Sequence, residues 1–377
     1  MLLTIVIFLV VLSILVLVHE FGHFIAARKF GAGVEEFGLG FPPRLCGIYK
    51  NTSGVWKFVW WNREVKDAAG TIYSLNLIPL GGFVKIDGEN GEDKDSPQSF
   101  AHKPIWQRAI MLSAGVIMNV LLAAIFISAN FMIGAPQAID GSDLSGAIVS
   151  NRRIQVMEVL PDSPALKAGL KGGDEIVSVN DQSFATYSQL QAYVGDKAGQ
   201  PLQYTIRRGQ SVEDKTIIPE VMASTSRAGI GISIAEVASV RYPWYAALWE
   251  GIKTTGLLIV SIFIGFYQLI AKIVSGGGVG SDVAGPVGIA VLTGQVVDLG
   301  FSYVLQFAAL LSLNLAVINF LPFPALDGGR VLFLIIEKIK GRPVKQSTEA
   351  LVHNIGFMLL IALVVLVTFK DIRHLLN

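Results

Sequence analysis

Residues 1–18 contain no ionisable side chain. At about 1.5 Å per residue the run covers most of a hydrocarbon core of about 30 Å. Lipid offers no hydrogen-bond partner to a backbone, so a lone segment of this kind can cross only as a helix. A cleaved signal peptide is the competing reading, but the run lacks a basic start and a small-residue cleavage site, and it continues directly into HEFGHFIAARKF. Further apolar runs occupy 109–139, the interval between Asp298 and Asp327, and 351–369. Hydrophobic residues make up 52% of the chain and charged ones 16%, against about a quarter charged in soluble domains, which excludes an ordinary water-soluble globule. Thirty basic and 29 acidic residues leave a net charge of +1, and no field points to nucleic acid. A single cysteine, Cys46, rules out an internal disulfide and a thiolate zinc cage, so a metal site must draw on His, Asp or Glu.

The expected fold is a membrane α-helical core of four transmembrane helices, at 1–30, 105–139, 299–328 and 351–370. Between the first two lies a mixed segment, 31–104, with strand candidates WKFVWW, TIYSLNLIPL and GGFVKI and an acidic loop, DGENGEDKDSPQ. Trp56, Trp60 and Trp61 suit either a membrane interface or an ordinary core. Residues 150–236 carry charges, short β-branched runs and turn pairs, the composition of a small inserted β-rich domain. The stretch 249–274 is nearly long enough to cross, yet Glu250 and Lys253 flank its start.

Residues 19–23 read His-Glu-Phe-Gly-His. On a helix the i, i+4 spacing puts both imidazoles on one face, where they can share a zinc ion with Glu20 beside it. In zinc hydrolases such a glutamate takes the proton of the attacking water. Three polar groups at the end of an apolar helix are costly, which favours a functional site over histidines that merely cap the helix. A catalytic zinc takes a third protein ligand. His102, His353, His374, Glu35 and Glu36 qualify by chemistry, but Asp327 is favoured, because in AVINFLPFPALDGGR two prolines stop the helix just before it. A turn or N-cap role for Asp327 is the alternative. Asn319 could bind substrate or an oxyanion, or serve as a helix-packing amide.

HEFGH, LIPLGGFVKIDGE, PIWQRAIMLSAGVIMN, AGPVGIA and NFLPFPALDGG together resemble the site-2 protease family, most closely the bacterial RseP-type intramembrane zinc metalloproteases, nearly end to end. The resemblance implies that His19, His23 and Asp327 bind Zn2+, that Glu20 is the catalytic base, that Asn319 handles substrate, and that Asn119 matches the family's second-span asparagine. It also implies that VMEVLPDSPALKAGLKGGDEIVSVNDQSF belongs to one PDZ domain, which takes a peptide by strand addition, with 228–235 as its binding-loop strand. The partners so implied are transmembrane protein substrates, a peptide or substrate segment in the PDZ groove, and the lipid bilayer. A membrane-anchored PDZ scaffold with structural or absent zinc is one other class, and it does not account for a polar HExxH paired with a distant LDG aspartate; a zinc transporter is another, and it calls for a string of ligands across the membrane where the sequence shows one cluster.

The ligands must meet at one depth. With 299–326 as one crossing, 249–274 cannot be a single further crossing, so 243–275 is expected along the membrane surface or as a re-entrant amphipathic helix. Arg28, Lys29, Lys103 and Arg108 flank the first loop and Arg330, Lys338, Lys340, Arg342 and Lys345 follow Asp327, which makes both sides cytoplasmic. The expected location is the bacterial inner membrane, with the zinc site towards the cytoplasm and the PDZ domain outside.

Overall fold

A computed structural model describes residues 2–89, 95–139, 144, 146–209, 211–222, 227–276 and 284–376. The middle of the acidic loop and most of SGGGVGSD lie outside the described residues. The chain divides into two compact units: 1–126 with 252–294 and 307–377, and 127–251 with 295–306.

In the first unit, α1 (Leu2–Lys29) carries the long charge-free run and ends at Arg28 and Lys29, cations that suit the negative end of a helix dipole. Strands β1 (Val34–Lys50), β2 (Trp56–Trp60) and β3 (Ile72–Ile86) form a sheet in the order β2-β1-β3. The far arm of β3 runs Gly82 to Ile86 along Leu39 to Val34, and its near arm pairs Tyr73 with Ile48 and Asn76 with Arg44. Trp56, Phe58 and Trp60 are more than half exposed on β2, so they are not core aromatics. Helix α2 (Ile105–Ile133) follows. Gly134, at φ +126°, ends it, and the apolar residues that hydropathy assigns to the same span instead form β4 (Ala135–Ala138).

The second unit holds a six-stranded sheet. Its strands are β4, β5 (Ile148–Val159), β6 (Glu175–Val179), β7 (Leu202–Arg208), β8 (Ser211–Ile217) and β11 (Ile232–Arg241), in the order β4-β11-β5-β6-β7-β8. The short strands β9 (Glu220–Val221) and β10 (Ala228–Gly229) pair with each other. Helices α3 (Pro164–Lys167) and α4 (Tyr187–Gly195) are capped by Ser163 and Thr186, whose hydroxyls accept the backbone N–H of Leu166 and Gln189. Ile154, Val156, Leu170, Ile176, Tyr204 and Ile206 lie buried beneath them. The last strand of the domain therefore pairs beside its first long one, while 232–236 of β11 keep one edge without a β4 partner.

The remaining helices are α5 (Trp244–Val274), α6 (Pro286–Leu299), α7 (Phe301–Phe320), α8 (Asp327–Lys340) and α9 (Gln346–Leu376). Five described helices are long and apolar enough to cross a membrane, one more than the four expected; the addition is α5. It is a single unbroken 31-residue helix, and its Phe263 ring packs edge-on against Phe320 at the end of α7, with centroids 6.5 Å apart. The expected third span, 299–328, is divided: Gly300 at φ +110° separates α6 from α7, and the prolines at 322 and 324 separate α7 from α8. The candidate spans leave Ile125, Met358 and Leu366 more than 60% exposed, a surface that hydrocarbon tolerates and water does not.

Candidate metal centre

The histidines sit one turn apart on α1, both buried, and Asp327 is the first residue of α8. His19 Nε2 lies 3.0 Å and His23 Nε2 3.3 Å from Asp327 Oδ2, and the two nitrogens are 3.2 Å apart. Zinc bonds of about 2.0–2.1 Å in a tetrahedron place neighbouring ligand atoms roughly 3.3 Å apart. The three atoms thus have the spacing that three vertices of a zinc tetrahedron require, and among the described residues they are the only such group of three. The fit extends to the outer ring atoms. His23 Nδ1 donates to the carbonyl of Met111 at 2.8 Å, which fixes the proton there and leaves the Nε2 lone pair for metal. His19 Nδ1 is 3.2 Å from the amide of Asn119, a residue with no exposed surface whose Oδ1 lacks a partner among the described residues. Turning that amide over gives the oxygen to an Nδ1–H, the tautomer that leaves the His19 Nε2 lone pair for a metal.

Asp327 owes its place to the broken backbone before it. Ala325 takes a left-handed φ of +78°, and its N–H donates to His353 Nδ1 at 2.8 Å. A Cβ at Gly328 would stand 2.3 Å from the Leu321 carbonyl oxygen, and one at Gly329 2.3 Å from that of Phe323. The aspartate can therefore open a helix folded tightly back on the end of α7 only because two glycines follow it. Its position in the first turn also sets a carboxylate against the positive end of the α8 dipole. Glu20, between the histidines, accepts the Val84 backbone N–H at Oε2, 3.1 Å away, so the far arm of β3 faces this carboxylate with the edge opposite β1.

The other candidate ligands lie elsewhere. Glu36 pairs with Arg44 and Glu35 with Lys85; His102 is exposed ahead of α2, and His353 anchors the Ala325 turn. The side chain of His374 is outside the described residues. Asn319 is half-buried on the last turn of α7, eight residues before Asp327. Sequence reasoning missed Met111 and Val84, which act through backbone groups that no ligand motif advertises, and it offered His353 as a ligand where the side chain instead accepts the Ala325 N–H.

Residues 7–363 match the profile of peptidase family M50. The chain belongs to that family. Protease RseP of Yersinia pestis is 31% identical over 463 residues, covering 98% of each chain. A provisionally named zinc metalloprotease of Clostridium perfringens is 35% identical over 365 residues, covering 97% of each, and zinc metalloprotease RasP of Oceanobacillus iheyensis is 28% identical over 460, covering 99% of each. A PDZ domain of an SdrC-like protein from Listeria monocytogenes aligns with 23% of this chain and 92% of its own at 25% identity, with a TM-score of 0.22. The M50 protein is a zinc metalloprotease of the site-2 type.

Proposed function

We propose that the chain hydrolyses peptide bonds within transmembrane segments of other membrane proteins, the classes in view being anti-sigma factors and remnant signal peptides. His19, His23 and Asp327 would hold the zinc. The observation that carries this reading is their near-tetrahedral convergence, built from a transmembrane helix and a proline-broken turn, beside a glutamate held by the Val84 backbone N–H. Zinc, when bound, polarises the scissile carbonyl and makes water nucleophilic at neutral pH. Glu20 accepts the water's proton and delivers it to the leaving amine; its hydrogen bond to Val84 keeps the carboxylate aimed between strand and metal ligands. Met111 and Asn119 fix the imidazole tautomers. Asn319 holds the substrate backbone on the side of α7.

A helical substrate must unwind before its carbonyl is accessible. The edge of the 82–86 arm on the Glu20 side, away from β1, would present backbone groups to the unwound stretch, so that strand addition places the bond next to Glu20. The inserted domain is read as PDZ, with its ligand along the open edge of 232–236 beside α4, and as a filter on the outer face that rejects substrates with bulky outer domains. Cytoplasmic placement of the zinc site rests on the Lys and Arg bias of the loops. To test the filter, residues 154–220 are deleted and cleavage of trimmed and untrimmed single-span substrates is compared. The deletion should release cleavage of the untrimmed substrate; no gain contradicts the filter.

A further inference from the structure

A cleft lies in the unit formed by 127–251 and 295–306, a cavity of about 460 Å³. Arg152, Arg153 and Arg207 line it against a single carboxylate, Glu175, with Gln155 and Tyr303 completing the polar wall. Arg207 binds both oxygens of Glu175 through one nitrogen, at 3.0 and 3.1 Å, which leaves its remaining donors unspent in that pair. Arg153 donates to the Tyr303 hydroxyl at 2.8 Å; that hydroxyl donates to Gln155 Oε1 at 3.1 Å, and the buried Gln155 donates to the Gly173 carbonyl at 2.9 Å. This relay fixes the Arg153 guanidinium, and among the described residues it leaves Nε and Nη1 available. The strand is built to deliver these side chains. Across β5 and β11, Arg153 pairs with Val237 and Ser150 with Ser239, so Asn151 and Arg152 oppose Ala238 alone: a bulge, with Asn151 at φ +51°. A bulge re-aims a side chain at the cost of ladder pairing, and here it turns two consecutive arginines into the cleft.

The level of the cleft is marked by the ends of three helices. The Ser302 hydroxyl donates to the Gly134 carbonyl at 2.9 Å, and Tyr242 N–H donates to the Phe131 carbonyl at 2.9 Å with the two rings 5.6 Å apart. The end of α2 and the starts of α5 and α7 therefore meet, and Trp244, Trp249 and Phe301 stand more than 65% exposed there, as aromatics do at a bilayer interface. Tyr303 belongs to the first turn of α7, so the arginine cleft opens at headgroup height.

We propose that this cleft binds a phosphate group, supplied by the headgroup of an anionic phospholipid. The net charge of the lining, three guanidinium groups against one carboxylate, and the fork geometry of arginine suit a phosphodiester. The height assignment rests on the membrane-spanning reading of α2, α5 and α7, not on the catalytic roles.

The test uses the full-length protein in a non-ionic detergent, titrated with dihexanoyl phosphatidylglycerol, dihexanoyl phosphatidylcholine and inorganic phosphate. The variants are Arg152→Ala, whose side chain has no recorded partner among the described residues, Arg152→Lys, and Arg153→Ala. Zinc content and substrate cleavage serve as fold controls. The expected result is one saturable phosphatidylglycerol site per chain. Its affinity should fall by about ten-fold or more in each alanine variant, recover in part in Arg152→Lys, and weaken as salt rises, with zinc content unchanged. Phosphatidylglycerol should bind more tightly than inorganic phosphate. Equal affinity for the two assigns the site to free phosphate and overturns the lipid assignment. Phosphatidylglycerol binding that is absent, or unaltered in both alanine variants, overturns the site.

Discussion

Adding one methyl group at Gly115 should disable the metal centre while leaving the fold in place. A Cβ there would lie 2.4 Å from His23 Nε2 and 2.7 Å from His19 Nε2. Ordinary non-bonded contacts run at about 3.5 Å or more, so both rings would have to retreat by roughly 1 Å. Zinc ligation tolerates about 0.2 Å. The rings have little freedom to yield, because His23 is tied to Met111 at 2.8 Å, four residues before Gly115 on the same helix. Nor can the helices part at low cost, since the Cα of Gly22 already sits where an added Cβ would stand 2.4 Å from the Ala114 carbonyl oxygen. A 1 Å misplacement of reacting groups is worth about a hundred-fold in rate. Gly115→Ala is therefore expected to lose at least about a hundred-fold in kcat/KM and a comparable factor in zinc affinity, measured by competition with a chromophoric chelator in detergent. Its thermal unfolding should stay near wild type. Gly22→Ala, which presses on backbone instead of on ring atoms, should lower the unfolding temperature first. Zinc affinity of Gly115→Ala within about threefold of wild type would refute the geometry.

Asn119→Leu should weaken zinc binding by about 10–100-fold, while Asn119→Asp, which keeps an acceptor for His19 Nδ1–H, should retain it; equal loss in both points to packing alone. Glu337→Ala should destabilise the protein by about 3 kcal/mol, seen as a lower unfolding temperature, because it strands the mostly buried Arg108 guanidinium that now grips both carboxylate oxygens, at 2.6 and 3.1 Å. Tyr204→Phe should be neutral or stabilising by up to about 1 kcal/mol, since the buried hydroxyl has no partner in the described structure and burial pushes its pKa upward; a clear drop in unfolding temperature would reveal a bond to this group.

Much of this centre was legible because its chemistry is concentrated in residue types that apolar helices avoid. HEFGH at the end of a charge-free run and Asp327 after two prolines stand out against hydrocarbon, and the structure brings His19, His23 and Asp327 together. Boundaries were less legible. Residues 135–138 are as apolar as the helix before them, and only Gly134 and the pairing with β11 make them a strand. The interval between Asp298 and Asp327 reads as one span, yet Gly300 divides it. The parity of crossings constrains how often the chain changes sides, not which helix lies where; α5 has the length to span and packs Phe263 on the end of α7. The supporting contacts at the metal were invisible for another reason: a carbonyl from Met111, an amide from Val84 and the missing side chain of Gly115 leave no trace in residue chemistry.

The central claim is that Glu20 performs proton transfer at a zinc held by His19, His23 and Asp327 within a membrane-spanning core. Cleavage of a single-span substrate, trimmed on its outer side, by purified protein in detergent tests it most directly, with wild type, chelator-treated protein and Glu20→Gln compared for zinc content and turnover. Wild type should cleave, chelation should abolish cleavage and readdition of zinc restore it, and Glu20→Gln should keep zinc but lose turnover. Wild-type turnover in Glu20→Gln, or cleavage that survives complete zinc removal, would contradict it.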